Sequence, residues 1–135
     1  DIMELIYTNN NKANIILQDF VSESRGRDLR VFVIGGKVVG CMQRSSKTSF
    51  KANFSRGAEV THYQVTPEIE WLALESAKLL GLDIAGVDLL FDKDGFKVCE
   101  ANSAPGFEGL EKVVGNNIAE HILDFICIRL GLKLE

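Results

Sequence analysis

At 135 residues the chain has the size of one domain. Its 15 Lys and Arg against 19 Asp and Glu leave a net charge of −4, which argues against a nucleic-acid footprint, and so against a DNA partner, over the whole surface. A hydrophobic fraction of 46% and a charged fraction of 25% suit a globular domain, and no apolar run reaches the ~18 residues of a membrane span.

Asp1 to Tyr7 has helical apolar spacing without an initiator Met, so a helix is expected over residues 1–9 and the chain is expected to be a piece of a longer protein. Ile15 to Val21 reads as a strand. A polar loop from Ser22 to Gly26 leads to a second strand over residues 28–34, with Leu29, Val31 and Val33 on one face. Gly35-Gly36 is a two-residue hairpin turn, since both positions of such a turn need positive φ. Lys37 to Ser45 returns, with Val38, Gly40, Met42 and Arg44 expected on one face and Val39, Cys41 and Gln43 on the other.

Ser46 to Gly57 lacks apolar period and carries Lys47, Lys51, Asn53 and Arg56, the composition of a loop that binds something. A strand is expected over residues 59–65. Thr66-Pro67 then opens a helix, as N-cap and first-turn proline, with Trp71, Leu72, Ala73, Leu74, Ala77, Leu79 and Leu80 as its stripe and Gly81 as its end. Two helical segments close the chain, residues 107–114 and 117–130, with Ile118, Ile122, Phe125, Ile126 and Leu130 facing inward. The expected fold is α+β, a mainly antiparallel sheet with helices packed on it.

Gly86 to Asn102 is the stretch that carries chemistry. It reads as two strands joined by a polar turn. Folded about Asp94, it brings Asp88 opposite Glu100, and Asn102 shares the Glu100 face. Opposed residues of an antiparallel pair have Cβ atoms ~5 Å apart, where two carboxylates repel by about 3 kcal/mol at an effective dielectric near 20. A shared proton or an intervening cation relieves that repulsion. Two carboxylates and an amide oxygen form a hard donor set that suits Mg²⁺ or Mn²⁺. The plainer alternative is a solvated face on which the acids never meet, since a slip of one residue flips every side chain. Ser103 to Gly106 is a turn leading into a helix, and a helix N-terminus favours anions.

Arg27, Arg30, Arg44, Lys51 and Arg56 cluster on the early hairpin and the loop after it. Facing the acids, they suggest a polyphosphate held between cations and metal; singly, each is also a solvated edge residue. The segment Leu17 to Val21 offers an aromatic residue and main-chain groups to a planar base, and Asp28 is placed to accept from sugar hydroxyls. The chain has no GxxxxGK[ST] or GxGxxG motif. His62 and His121 lack partners at metal spacing, and Ser103 has no nearby His. Cys41, Cys99 and Cys127 form neither a zinc pattern nor a disulfide framework, which fits a reducing cytoplasm.

Leu17-Gln18-Asp19-Phe20-Val21, Gly26-Arg27-Asp28-Leu29-Arg30, Phe50-Lys51-Ala52-Asn53, Ser55-Arg56-Gly57, Ala85-Gly86-Val87-Asp88 and Glu100 to Lys112 run in the order of one known family. The chain resembles the C-terminal part of an ATP-grasp ligase of the RimK-like glutamate ligase type, with residues 1–13 as the tail of the preceding subdomain. The resemblance implies Asp88, Glu100 and Asn102 as ligands of two Mg²⁺ or Mn²⁺ ions bound with ATP. It implies Asp19 and Phe20 as the hinge against adenine and Asp28 as the ribose contact. Lys51 and Asn53 match an Arg-x-Asn beside the phosphates, with Lys51 in place of Arg, and Asp19 stands where Glu is commoner. Arg44 matches the arginine that steadies charge during transfer. The implied reaction joins an amino acid, glutamate foremost, to a carboxylate acceptor such as a protein C-terminus through an acyl phosphate. A non-catalytic ATP- and Mg²⁺-binding module is the alternative. The implied parent is a homo-oligomer, and this piece alone is expected to be inactive because the partner subdomain is missing.

Overall fold

The computed structural model describes Thr8, residues 18–46 and residues 59–132. Apart from Thr8, the helix expected over residues 1–9 lies outside them, as do residues 15–17, the basic loop over 47–57, and with it Lys51, Asn53 and Arg56.

Five strands form one antiparallel sheet: β1 (Arg27–Ile34), β2 (Lys37–Ser45), β3 (Glu59–His62), β4 (Ile84–Asp92) and β5 (Gly95–Asn102), in spatial order β3-β2-β1-β4-β5. Helix α1 (Pro67–Leu79) covers one face. Helices α2 (Glu108–Val114) and α3 (Ile118–Leu130) cover part of the other. The α+β expectation holds. Among the described residues no helix is long and apolar enough to cross a membrane.

Strand alternation builds both cores. Leu29, Val31 and Val33 pack with Val87, Leu89 and the Ile69, Ala73 and Ala77 ridge of α1. Phe32, Ile34 and Met42 point the other way, onto Leu110 of α2 and Ile118 of α3. Thr66 caps α1, its Oγ1 accepting the Ile69 N–H at 3.3 Å. Asn117 caps α3, its Oδ1 accepting the Glu120 N–H at 3.0 Å.

Several expectations need correction. Gln18 to Val21 is not strand; it runs irregularly into a single 3-10 turn, Ser22–Ser24. β3 stops at His62, after which only the Tyr63 N–H still reaches the sheet, donating to Cys41 O at 3.1 Å. Val38 and Val39 exchange faces because β2 bulges: Val33 pairs with Val38 but Phe32 with Gly40, so Val39 is extra and turns toward α2 and α3. Trp71, Leu79 and Leu80 of the expected stripe are exposed, as are Ile126 and Leu130. The buried ridge of α1 is the narrower 69-73-77 line.

The Gly35-Gly36 turn is pinned under α3. Gly35 (φ +57°) donates its N–H to Asp83 O at 2.8 Å, and a Cβ there would lie 2.6 Å from the Phe125 ring. Gly36 (φ +77°) has open space around it. Gly36→Ala should therefore cost only the left-handed backbone, about 1–2 kcal/mol. Gly35→Ala should cost roughly 1–3 kcal/mol more through the clash. Urea unfolding of the two variants side by side measures the difference.

Candidate functional site

The polar half of the α2/α3 face carries the site. Asp28 and Arg30 continue, on β1, the side of the strand that buries Phe32 and Ile34. Arg44 lies across from Asp28 on β2, Asp88 across from Arg30 on β4, and Glu100 across from Asp88 on β5. The α2/α3 core fills one end of this face. Charge fills the other.

The opposition of Asp88 and Glu100 depends on a second bulge. The turn between β4 and β5 is Lys93-Asp94, and the register from it runs Asp92 to Gly95 through Leu89 to Val98. Continued regularly, it would set Asp88 against Cys99. One extra residue on β5 shifts the pairing to Asp88 with Glu100 and Gly86 with Asn102. The pair expected from the sequence is present, through a turn and a bulge that folding about Asp94 did not contain.

Asp88 is 4% exposed and Arg44 5%, both inside an ionic ladder. Arg30 donates from Nε to Asp88 Oδ1 at 2.7 Å and from Nη2 to Asp88 Oδ2 at 2.8 Å. Arg44 donates from Nη2 to the same Oδ2 at 2.7 Å. Its Nε and Nη2 also bind Asp28 Oδ1 and Oδ2, both at 2.7 Å. Two carboxylates thus balance two guanidiniums, the pairing that buried charge requires. Burial works against the Arg44 cation, but its bonds to Asp28 and Asp88 outweigh this and raise its pKa. Burial pushes the Asp28 carboxyl up from the usual carboxylate value, against the pull of Arg44.

Glu100 stands at the open end, its side chain 61% exposed and its Oε1 4.0 Å from Arg30 Nη2. Asn102 ends β5, its Oδ1 accepting the Ala104 N–H of the loop to α2 at 2.9 Å. That loop is seated on Gly86, where a Cβ would lie 2.6 Å from Pro105 Cβ. These residues border a cleft of about 530 Å³ shared with Gln18, Asp19, Phe20, Val21, Leu90 and Cys99. Asp19, Phe20, Asp28, Arg44, Asp88, Glu100 and Asn102, singled out from the sequence, therefore meet at one cleft. Lys51 and Asn53 lie outside the described residues. The cleft lining ends at Asn102, short of the seven-residue α2, so the helix start expected to favour anions does not border it.

Two functions of the sequence went unread. Ser24 anchors the segment that roofs the cleft: its Oγ donates to Arg27 O at 2.6 Å and accepts the Phe91 N–H at 3.1 Å. Arg30, read only as one cation of a basic group, is the fork on Asp88; its position two residues from Asp28 on one strand was the available signal. The Cys99 thiol is raised by burial first and Glu100 next, so this residue is poorly suited to be a nucleophile.

As a metal site, Asp88, Glu100 and Asn102 supply oxygen donors of the kind Mg²⁺ and Mn²⁺ take. Among the described residues no group of three or more His, Cys, Asp or Glu side chains forms a metal cluster.

A model of the RimK-like ATP-grasp domain matches residues 2–126. The chain belongs to the RimK-like ATP-grasp family. A probable alpha-L-glutamate ligase of Coxiella burnetii is 46% identical over 116 residues, covering 85% of this chain; the chain spans 38% of that relative's length. The fold is that of ATP-grasp ligases. The ligase PsnB, complexed with a phosphomimetic variant of a minimal precursor, Mg and ADP, matches with a TM-score of 0.66 at 23% identity, over 84% of this chain and 34% of that one. D-alanine–D-alanine ligase of Bacillus anthracis, complexed with ATP, matches at 0.64 and 18% identity, over 93% of this chain and 44% of that one.

Removing Asp28 from the ladder strands Arg44 on Asp88 alone. Asp28→Ala should lower unfolding free energy by about 3–5 kcal/mol. The double variant Asp28→Ala/Arg44→Met, which removes both charges, should recover part of that loss in the same urea titration.

Proposed function

We propose that this chain is the C-terminal part of the ATP-grasp domain, with residues 1–13 as the tail of the preceding subdomain, of an ATP-dependent carboxylate–amine ligase that adds glutamate to a carboxylate acceptor. The single observation that carries the reading is the convergence of Asp88, Glu100 and Asn102 on a cleft that Asp19, Phe20, Asp28 and Arg44 also line. Membership of the RimK-like ATP-grasp family and the glutamate ligase relative support it.

In the proposed reaction a carboxylate oxygen of the acceptor attacks the γ-phosphorus of ATP. The bond from that phosphorus to the β,γ-bridging oxygen breaks, and ADP leaves with the electron pair. The glutamate amine then attacks the acyl carbon of the acyl phosphate and loses a proton, and inorganic phosphate departs. Two Mg²⁺ or Mn²⁺ ions on Asp88, Glu100 and Asn102 supply charge neutralisation to the phosphate oxygens when bound.

The remaining work falls to this chain's own residues. Asp19 and Phe20 line the side of the cleft that receives the base, and the resemblance to the family assigns Lys51 and Asn53 to the phosphates. Asp28 and Arg44 have two tasks in this reading. Asp28 receives the ribose hydroxyls with lone pairs that Arg44 leaves open, and Arg44, held charged by Asp28 and Asp88, stabilises the transferring phosphoryl group. No covalent enzyme intermediate is needed.

The test is ligation by the full-length protein: mass gain of candidate acceptors, protein C-termini included, incubated with ATP, glutamate and Mg²⁺. ATP binding without ADP formation under any acceptor would overturn the ligase reading and leave a nucleotide-binding module. Glu100→Gln is the informative substitution, because the Glu100 carboxylate is exposed and meets the ladder only at its edge, 4.0 Å from Arg30 Nη2. It should cut turnover at least about a hundredfold. Its thermal midpoint should stay at the wild-type value.

A further inference from the structure

Asp88 has little room left for a metal ion. An ionised carboxylate offers about four lone-pair directions. Oδ2 accepts from Arg30 Nη2 at 2.8 Å and Arg44 Nη2 at 2.7 Å, and Oδ1 accepts from Arg30 Nε at 2.7 Å. Arg44 is itself fixed by two bonds to Asp28 and is 5% exposed, so it has no ready alternative. Arg30 differs. Its side chain is 13% exposed, it borders the cleft, and its Nη2 already lies 4.0 Å from Glu100.

Resting on the metal-site reading above, we propose that Arg30 is the resident cation of this site: a positioning residue that pairs with Asp88 and competes with a divalent ion for its oxygens. A carboxylate gripped side-on by a guanidinium fork is bound in the geometry that makes such pairs strong. Asp88 and Glu100 would hold such an ion through the oxygens that Arg30 now engages or approaches, and the ion's charge would repel the same guanidinium. Arg44 then keeps Asp88 paired from the protein side, so the carboxylate is not left bare when Arg30 moves. The displaced guanidinium needs a new anion, and a polyphosphate in the cleft supplies one. Ion and nucleotide consequently bind better together than apart, with the movement of Arg30 as the link.

This separates Arg30 from a mere brace. Removing a brace weakens ion binding; removing a competitor strengthens it. The experiment is Mn²⁺ titration of the full-length protein, with and without ATP, read from the electron paramagnetic resonance signal of free Mn²⁺. Without nucleotide, Arg30→Met should bind Mn²⁺ at least about tenfold more tightly than wild type, the equivalent of losing a charge-assisted competitor. The gain in Mn²⁺ affinity on adding ATP should shrink in the same variant. Unchanged or weaker Mn²⁺ binding by Arg30→Met overturns the inference while leaving the ligase reading intact. Should Arg30→Met fail to fold, Arg30→Lys keeps the charge but loses the fork, and it must still bind Mn²⁺ more tightly than wild type. Failure of the wild type to bind Mn²⁺ even with ATP, or binding that Glu100→Gln does not weaken, overturns the metal-site reading and this inference with it.

Discussion

Asp88 is a buried carboxylate that answers to two guanidiniums, and the register of three strands brings those partners to it. A lone charge at this depth would be strongly disfavoured, and a lone pair would gain little over apolar residues of the same size. Here Asp28, Arg44, Asp88 and Arg30 alternate in sign across β2, β1 and β4 and sum to no net charge. Each link joins residues far apart in sequence, so the ladder exists only when the strand order does. It also grades exposure, from the buried Arg44 and Asp88 to the open Glu100. A site needs that gradient: fixed charge behind, accessible oxygens in front.

One sheet face performs two jobs because its residues change character along the strand direction. Toward the Gly35-Gly36 turn β1 presents Phe32 and Ile34 to the helices; toward its start it presents Arg30 and Asp28 to the cleft. The apolar end anchors the polar end. Side chains on paired strands move less than side chains on loops, and the ladder inherits that rigidity. The loop beyond β5 is tied to the same frame, since Pro105 rests where Gly86 has no side chain.

What the sequence disclosed is what local chemistry decides. The Gly35-Gly36 turn, the Thr66 cap and the strand of acids before Ser103 each carry their signal within a few residues. The bulges do not. Val38 and Val39 are equally apolar, so nothing local says which faces which core, and the answer lies in the pairing of Phe32 with Gly40. Asp88 opposite Glu100 was reached from a symmetry about Asp94, whereas the chain arrives there by a tighter turn and an extra residue on β5. Residues 18–21 read as the end of a strand but join no ladder among the described residues, and they line the cleft instead. Trp71 and Leu79 lie within an apolar pattern yet face outward, since Ile69, Ala73 and Ala77 already fill the space over the sheet. Arg30 illustrates the hardest case: its partner is 58 residues away, and only the β1–β4 register joins them.

The contrast between Asp88 and Glu100 bears on how a hard cation is handled. Mg²⁺ demands near-octahedral oxygen geometry and tolerates little error in ligand position. A site made wholly of mobile side chains would lose entropy at each binding event, and a wholly rigid one would not follow charge as it moves along a transferring phosphate. In this chain one carboxylate is held by strands and guanidiniums on all but one lone-pair direction, while the other is exposed at the cleft on the neighbouring strand, with Arg30 Nη2 4.0 Å away. On the proposed reading the buried acid defines where the ion sits, and the exposed acid adjusts to what the ion carries. Arg30, in contact with the first and 4.0 Å from the second, is the group placed to sense which state the site is in.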